Sequence, residues 1–199
     1  MARVTTADTS AADRTRLTDL LDGVVPWDDL ERDHLDAARA WISGGAPLYR
    51  TAKPATPPMH LVSYFAAFDE ARERVLLVEH RKAGLRLPTG GHVEPGESPW
   101  DAVRRECREE LGIAADPSGV AGERPFFVTV TDTLGQGRHT DVSLWHLIRA
   151  TPEDVTWFSE EEFSGVAWLS LAQVLAEPIA TLDPHMHRFT AKLARALTG

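Results

Sequence analysis

Five short runs rich in β-branched and aromatic residues, HLVSYFAAF, RVLLVEH, RPFFVTVTD, DVSLWHLIRA and GVAWLSL, follow one another after Met59. Between the second and third lies a helix with both ends written into the sequence. Runs of this kind read as strands. For the helix, Ser98 supplies a side-chain cap, Pro99 the first helical position, Asp101 an acid in the first turn and Gly112 a stop. Along it, Trp100, Val103, Cys107 and Leu111 form an apolar stripe suited to packing on a sheet. A further helix is expected from about Pro184 to Leu197, with Phe189, Leu193 and Leu197 at fourfold spacing. Strands interleaved with helices imply an α/β layered domain, with helices packed on a mixed β-sheet.

Ahead of this pattern, residues 1–50 read as a helical N-terminal extension, 51–58 (TAKPATPP) as a proline-rich connector, and 59–199 as the main domain. One helix is expected around Ser10 to Leu21 and a second from about Asp28 to Ile42, ending at Ser43-Gly44-Gly45. In the second, Asp28 and Glu31 match a capping box, and Leu30, His34, Ala37, Ala38 and Trp41 share a face that must be buried somewhere. That arm is a candidate for closing over a cleft or for pairing two subunits as a homodimer.

At 43% hydrophobic residues, the 199-residue chain can build a real core. No apolar run approaches the ~20 residues that span a bilayer, and the start MARVTTADTSAADRTR lacks the apolar stretch of a secretory signal. The expected compartment is therefore cytoplasmic, with no membrane partner. The lone Cys107 cannot make an internal disulfide. A net charge of -9 gives no broad basic footprint, so no nucleic-acid partner is expected, and a polyanionic substrate would need cations as intermediaries.

The stretch GGHVEPGESPWDAVRRECREELGI concentrates the chemistry. On the helix, Glu106 meets Glu109 at i+3 and Glu110 at i+4, with β-carbons roughly 5–6 Å apart. Such carboxylates either form a solvated acidic face or hold hard divalent cations, which prefer oxygen ligands. Pro88-Thr89-Gly90-Gly91 permits sharp turns and close approach, so that a main-chain carbonyl can point at the same site. Glu97 can return to pair with Arg105, which also has Glu109 at i+4. A turn, an anchoring ion pair and an acidic helical face together favour the cation site.

Gly91, five residues, Glu97, seven residues, Arg105-Glu106, Cys107, one residue, Glu109-Glu110, one residue, Gly112 and Ile113 resemble the Nudix box of the Nudix hydrolases. Cys107 is a mild departure, standing where the family usually has a larger aliphatic residue. The resemblance covers roughly residues 57 to 198 and implies a Nudix-like α/β/α sandwich. It also implies Mg²⁺-dependent hydrolysis, with Mn²⁺ as a substitute, of a nucleoside diphosphate linked to X. On this sequence it implies metal ligands at Glu106, Glu109, Glu110 and the Gly90 carbonyl. The implied catalytic set is Glu97, Arg105, Glu106 and Glu110, with Glu97 and Arg105 organising the site. Water would be the nucleophile; Glu110 or Glu106 could relay its proton, or a base could come from the loop Ser159-Glu160-Glu161-Glu162.

Arg81, Lys82 and His92 are candidate substrate contacts around the glycine loop, and Arg138, His139 and Asp141 stand where a strand opens toward a cleft. Alternation puts His60, Val62 and Tyr64 on one face of their strand. His185-Met186-His187 suggests zinc, with no other cluster in sequence to complete a site. The expected partner is a small-molecule nucleotide, such as a nucleoside triphosphate or a nucleotide sugar. Two rivals are a catalytically silent nucleotide-sensing regulator and an isomerase acting on an isoprenoid diphosphate. The second needs a cysteine acid, and here the sole cysteine lies on the packing stripe.

Overall fold

The computed structural model describes residues 10–53, 56–133 and 138–198. Its strands are β1 (Met59–Asp69), β2 (Arg74–His80), β3 (Leu85–Leu87), β4 (Thr89–His92), β5 (Phe127–Asp132), β6 (Thr140–Arg149) and β7 (Phe163–Ser170). The helices are α1 (Ala11–Asp22), α2 (Asp29–Ser43), α3 (Pro99–Leu111), α4 (Leu171–Ala176) and α5 (Met186–Leu197). Among the described residues, no helix is long and apolar enough to cross a membrane.

One mixed sheet runs β3-β2-β1-β6-β5, with β4 paired to β1 and β7 to β2. The long central β1 is parallel to β6 along its length and antiparallel to β4 over Val62–Phe65. Alternate β1 residues serve opposite layers. Phe65 and Ala67 pack with Trp100, Val103, Cys107 and Leu111 of α3, whereas Ala66 and Phe68 pack with Phe189 and Leu193 of α5. The helices thus cover both faces of the sheet, which is the expected α/β/α arrangement.

The glycine segment departs from the sequence reading. It forms strand β4 instead of a loop, because pairing with β1 supplies the order that glycine propensity does not. The short α4 was also unforeseen, although Ser170 and Gln173 form a full capping box there.

α1 and α2 form as expected and share a core with β1, β5 and β6, through Leu17, Leu21, Leu35 and Ile42 against Leu61, Val128, Val142 and Leu144. The buried face of α2, however, is Glu31, Leu35, Ala38 and Ile42, one residue out of phase with the predicted stripe, and Leu30 is 45% exposed. The sequence pattern missed this because it required burying an acid. Only half of the capping box forms: Asp28 accepts from Glu31 N at 2.8 Å, but the Glu31 side chain turns inward. Its carboxylate accepts from Trp27 N at 2.6 Å, from Val128 N on the edge strand β5 at 3.2 Å, and from Lys192 Nζ of α5 at 2.7 Å. Those bonds satisfy a buried charge and occupy an edge-strand donor that would otherwise be open to another chain. Beside them, Arg188 of α5 binds Asp28 through Nε at 2.7 Å and Nη2 at 2.5 Å.

Removing one member of such a buried pair strands the other. Glu31→Ala should therefore cost about 3–5 kcal/mol in urea unfolding. A loss below about 1 kcal/mol would show that these bonds do not hold α2 in place.

Candidate active site

A cleft of about 750 Å³ opens between β4, α3 and the chain around Glu162, and it takes in Glu106, Glu109, Glu110, Lys82 and Asp141. A second, more apolar hollow of about 600 Å³ lies between α1 and the start of α3, beside Leu17, Tyr49 and Trp100. None of the three clustered glutamates lines it. The chemistry therefore belongs to the first cleft.

Two missing side chains shape its wall. Gly90 has a φ of +144°, and a β-carbon there would lie 2.7 Å from Tyr64 Cα and inside contact distance of the Ser63 carbonyl oxygen. At Gly91 a β-carbon would lie 2.6 Å from the carboxyl carbon of Glu106. Glycine is thus required at Gly90 by the backbone of β1, whereas at Gly91 a side chain would displace the Glu106 carboxylate.

Arg105 ties these parts together. Its Nε and Nη2 meet the two oxygens of Glu97 at 3.0 Å each, a bidentate fork. Nη2 also donates to the His92 carbonyl at 3.0 Å, and Nη1 reaches Glu106 at 2.5 Å and Glu109 at 3.5 Å. Glu97 in turn accepts from Glu94 N at 3.0 Å. These bonds, the Glu97 fork first among them, hold the guanidinium firmly protonated. The ion pair anticipated from the sequence therefore links the preceding loop, the end of β4 and the acidic face of α3.

The acids are not alike. Glu109 is 60% exposed, whereas Glu110 is buried and accepts from the Thr89 hydroxyl and from Gly90 N at 3.1 Å. Burial, with Glu106 and Glu162 alongside, pushes the Glu110 carboxyl up to about 9, and the Gly90 bond offsets only part of this. Burial also raises Glu106, against the pull of Arg105. Three carboxylates facing one cleft cannot all be ionised cheaply unless cations join them. The donors are all oxygens, with no side chain at Gly91 to crowd Glu106, and this suits a hard divalent cation.

Of the other positions singled out by sequence, Lys82 and His92 line the cleft. Burial and then the charge of Arg50 push the His92 imidazole down to about 3, so the ring is neutral. Arg81 is placed elsewhere, its Nε donating to the Glu160 carbonyl at 2.9 Å and the Phe163 carbonyl at 3.0 Å. Arg138 sits in a separate hollow beside Asp132. Of the acidic run 159–162, only Glu162 lines the cleft. Cys107 is buried in the α3 packing layer, and burial pushes its thiol well above the usual range, which removes the isomerase acid.

His185 and His187 do not converge: the first meets Thr131 Oγ1 at 3.0 Å and the second the Glu177 carbonyl at 3.1 Å. Arg50 and Lys53, from the segment before β1, join the cleft rim and were not anticipated. No local pattern signals them, because only the fold brings that segment to the cleft.

A raised carboxyl pKa means that the folded protein binds a proton that the unfolded chain releases. Stability is then full below the unfolded value of 4.5 and is lost as pH rises toward about 9. For chelator-treated protein, unfolding free energy should fall between about pH 7 and 8.5 by up to about 1.4 kcal/mol per unit. Glu110→Gln should remove most of that slope in urea titrations. An equal slope in the variant would mean that Glu110 is not the strained acid.

Comparison with known proteins agrees with this geometry. A family model described as the NUDIX domain matches residues 59–193. The chain is 32% identical over 138 residues to a CTP pyrophosphohydrolase of Escherichia coli (strain K12), covering 67% of this chain and 94% of that protein. It is 34% identical over 98 residues to the nucleoside triphosphatase NudI of Enterobacter sp. (strain 638), covering 48% and 64%. The crystal structure of a MutT NUDIX hydrolase from Burkholderia pseudomallei superposes with a TM-score of 0.52 at 22% identity, over 68% of this chain and 98% of that one. That likeness concerns the fold. The matched span contains every acid of the cleft, and the chain is an enzyme of the Nudix hydrolase family.

Proposed function

We propose that the enzyme hydrolyses the diphosphate linkage of a small nucleoside diphosphate derivative, with a nucleoside triphosphate as the first candidate, in a reaction dependent on divalent cations. The observation that carries this reading is the convergence of Glu106, Glu110 and Glu162 on one cleft with Lys82, Arg50 and Lys53. Cations and acids lining one cleft fit a polyphosphate held partly by protein and partly by metal. The similarity to a CTP pyrophosphohydrolase and a nucleoside triphosphatase supports triphosphates over nucleotide sugars.

Glu106, Glu109, Glu110 and the Gly90 carbonyl are the residues that would hold Mg²⁺, with Mn²⁺ as a substitute. Bound there, the cation supplies neutralisation of diphosphate charge and a lowered pKa for the attacking water. Lys82, Arg50 and Lys53 bind phosphate oxygens. Glu110 or Glu106 orients the water and takes up its proton, with Glu162 as the alternative acceptor within the same cleft. Arg105 and Glu97 act as positioning residues: their fork fixes where the α3 acids stand relative to β4. We further read residues 1–50 as a helical extension, 51–58 as a connector and 59–199 as the hydrolytic domain, with α1 and α2 serving as a fixed wall on β5.

The test is release of phosphate and pyrophosphate from a panel of nucleoside triphosphates and nucleotide sugars, with and without Mg²⁺. Turnover should require the cation, and Glu110→Gln should lower kcat by about 10²–10⁴-fold. Lys82→Ala should chiefly raise KM for triphosphates. Cation-independent turnover, or an unaffected Glu110→Gln, would contradict the proposal.

A further inference from the structure

Four residues from three separate segments of the chain meet beside the cleft. His60, His92, His139 and Asp141 each offer one ligand atom, and all four atoms lie within 4.8 Å of one another. His60 Nε2 is 2.9 Å from His92 Nε2, and Asp141 Oδ1 lies 3.2 Å from both His60 Nε2 and His139 Nε2. Strand pairing explains the meeting. Parallel β1 and β6 set His60 level with Asp141, and antiparallel β4 sets His92 against Val62, two residues along β1.

The outer hydrogen bonds decide which ring atoms face inward. His60 Nδ1 lies 2.9 Å from the Pro57 carbonyl, which can only accept, so Nδ1 carries a proton and Nε2 is the ring atom turned to the cluster. Thr133 Oγ1 lies 3.1 Å from His139 Nδ1 and accepts from the His139 backbone N at 3.2 Å, which anchors the outer edge of this ring. His139 Nε2 then faces inward as well, toward Asp141 Oδ1. Two ring nitrogens thus converge on one carboxylate oxygen. Asp141 Oδ1 is itself buried and accepts no hydrogen bond among the described residues. Imidazoles anchored through the second ring nitrogen to a carbonyl or hydroxyl have the arrangement of metal-ligating histidines.

We propose that His60, His92, His139 and Asp141 bind one borderline divalent transition-metal ion of the zinc class, at a site separate from the all-oxygen glutamate set. Three imidazoles and a carboxylate suit Zn²⁺, whereas Mg²⁺ seeks oxygen. Ligands at Zn–N distances of about 2.0–2.1 Å sit roughly 3.3–3.5 Å apart in a tetrahedron, close to the 2.9 and 3.2 Å separations here. With four protein ligands the site is closed, so its role is structural: the ion pins β1, β4 and β6 to one another beside the cleft. This inference does not depend on the hydrolytic reading.

The test uses the full chain, stripped with a chelator and titrated with Zn²⁺ alone, then with Co²⁺ as an optical probe. One equivalent of Zn²⁺ should bind, the thermal midpoint should rise, and Co²⁺ should give the strong visible bands of tetrahedral coordination. His139→Ala, at a partly exposed position, and Asp141→Ala should each weaken Zn²⁺ binding by at least about 100-fold while retaining the native circular dichroism spectrum. The Glu106→Gln, Glu110→Gln double variant should bind Zn²⁺ as the parent does. Failure of the parent to bind, binding that survives His139→Ala and Asp141→Ala, or loss of binding in the glutamate variant would each overturn the proposal. Should either cluster variant misfold, His92→Gln takes its place, with the same loss expected and undiminished binding equally decisive.

Discussion

The bidentate fork between Arg105 and Glu97 is the contact on which the cleft depends. It draws the loop before α3 against the helix while leaving Glu106 and Glu109 within reach of the same guanidinium. Through its bond to the His92 carbonyl, the fork also fixes the end of β4. Gly90 and Gly91 complete the arrangement by letting β4 lie against β1 on one side and Glu106 on the other. One cation therefore organises the acids from within the protein, and the remaining negative charge is left facing the cleft.

That residual charge explains why the site is strained in isolation. Glu110 is buried near Glu106 and Glu162, and its surroundings favour the protonated form. The same burial that is costly for a bare carboxylate strengthens its attraction for a divalent ion, because water no longer screens either partner. The α3 stripe, with Cys107 at its centre, has the separate task of packing on the sheet. One helix thus divides its faces between core and chemistry.

How much of this was legible in the sequence follows from how local each signal is. The α3 caps, its apolar stripe, the Glu106–Glu109–Glu110 face and the Glu97–Arg105 pair are short-range patterns, and all four appear where spacing places them. β4 was not legible, since two glycines carry no strand propensity and only pairing with β1 orders them. Nor was the burial of Glu31, whose partners Val128 and Lys192 lie 97 and 161 positions away. The histidine cluster was hidden for the same reason: positions 60, 92, 139 and 141 converge only through the registers of β1 with β4 and β6.

The central claim is that the α3 glutamates stand together because a divalent cation completes their charge balance. The most direct measurement is Mn²⁺ binding by paramagnetic resonance on the full chain, compared between the parent and Glu110→Gln. The account predicts saturable binding that tightens as pH rises toward about 9, where Glu110 loses its proton, and that is strongly weakened in the variant. Mn²⁺ binding that ignores both pH and the loss of the Glu110 charge would contradict it.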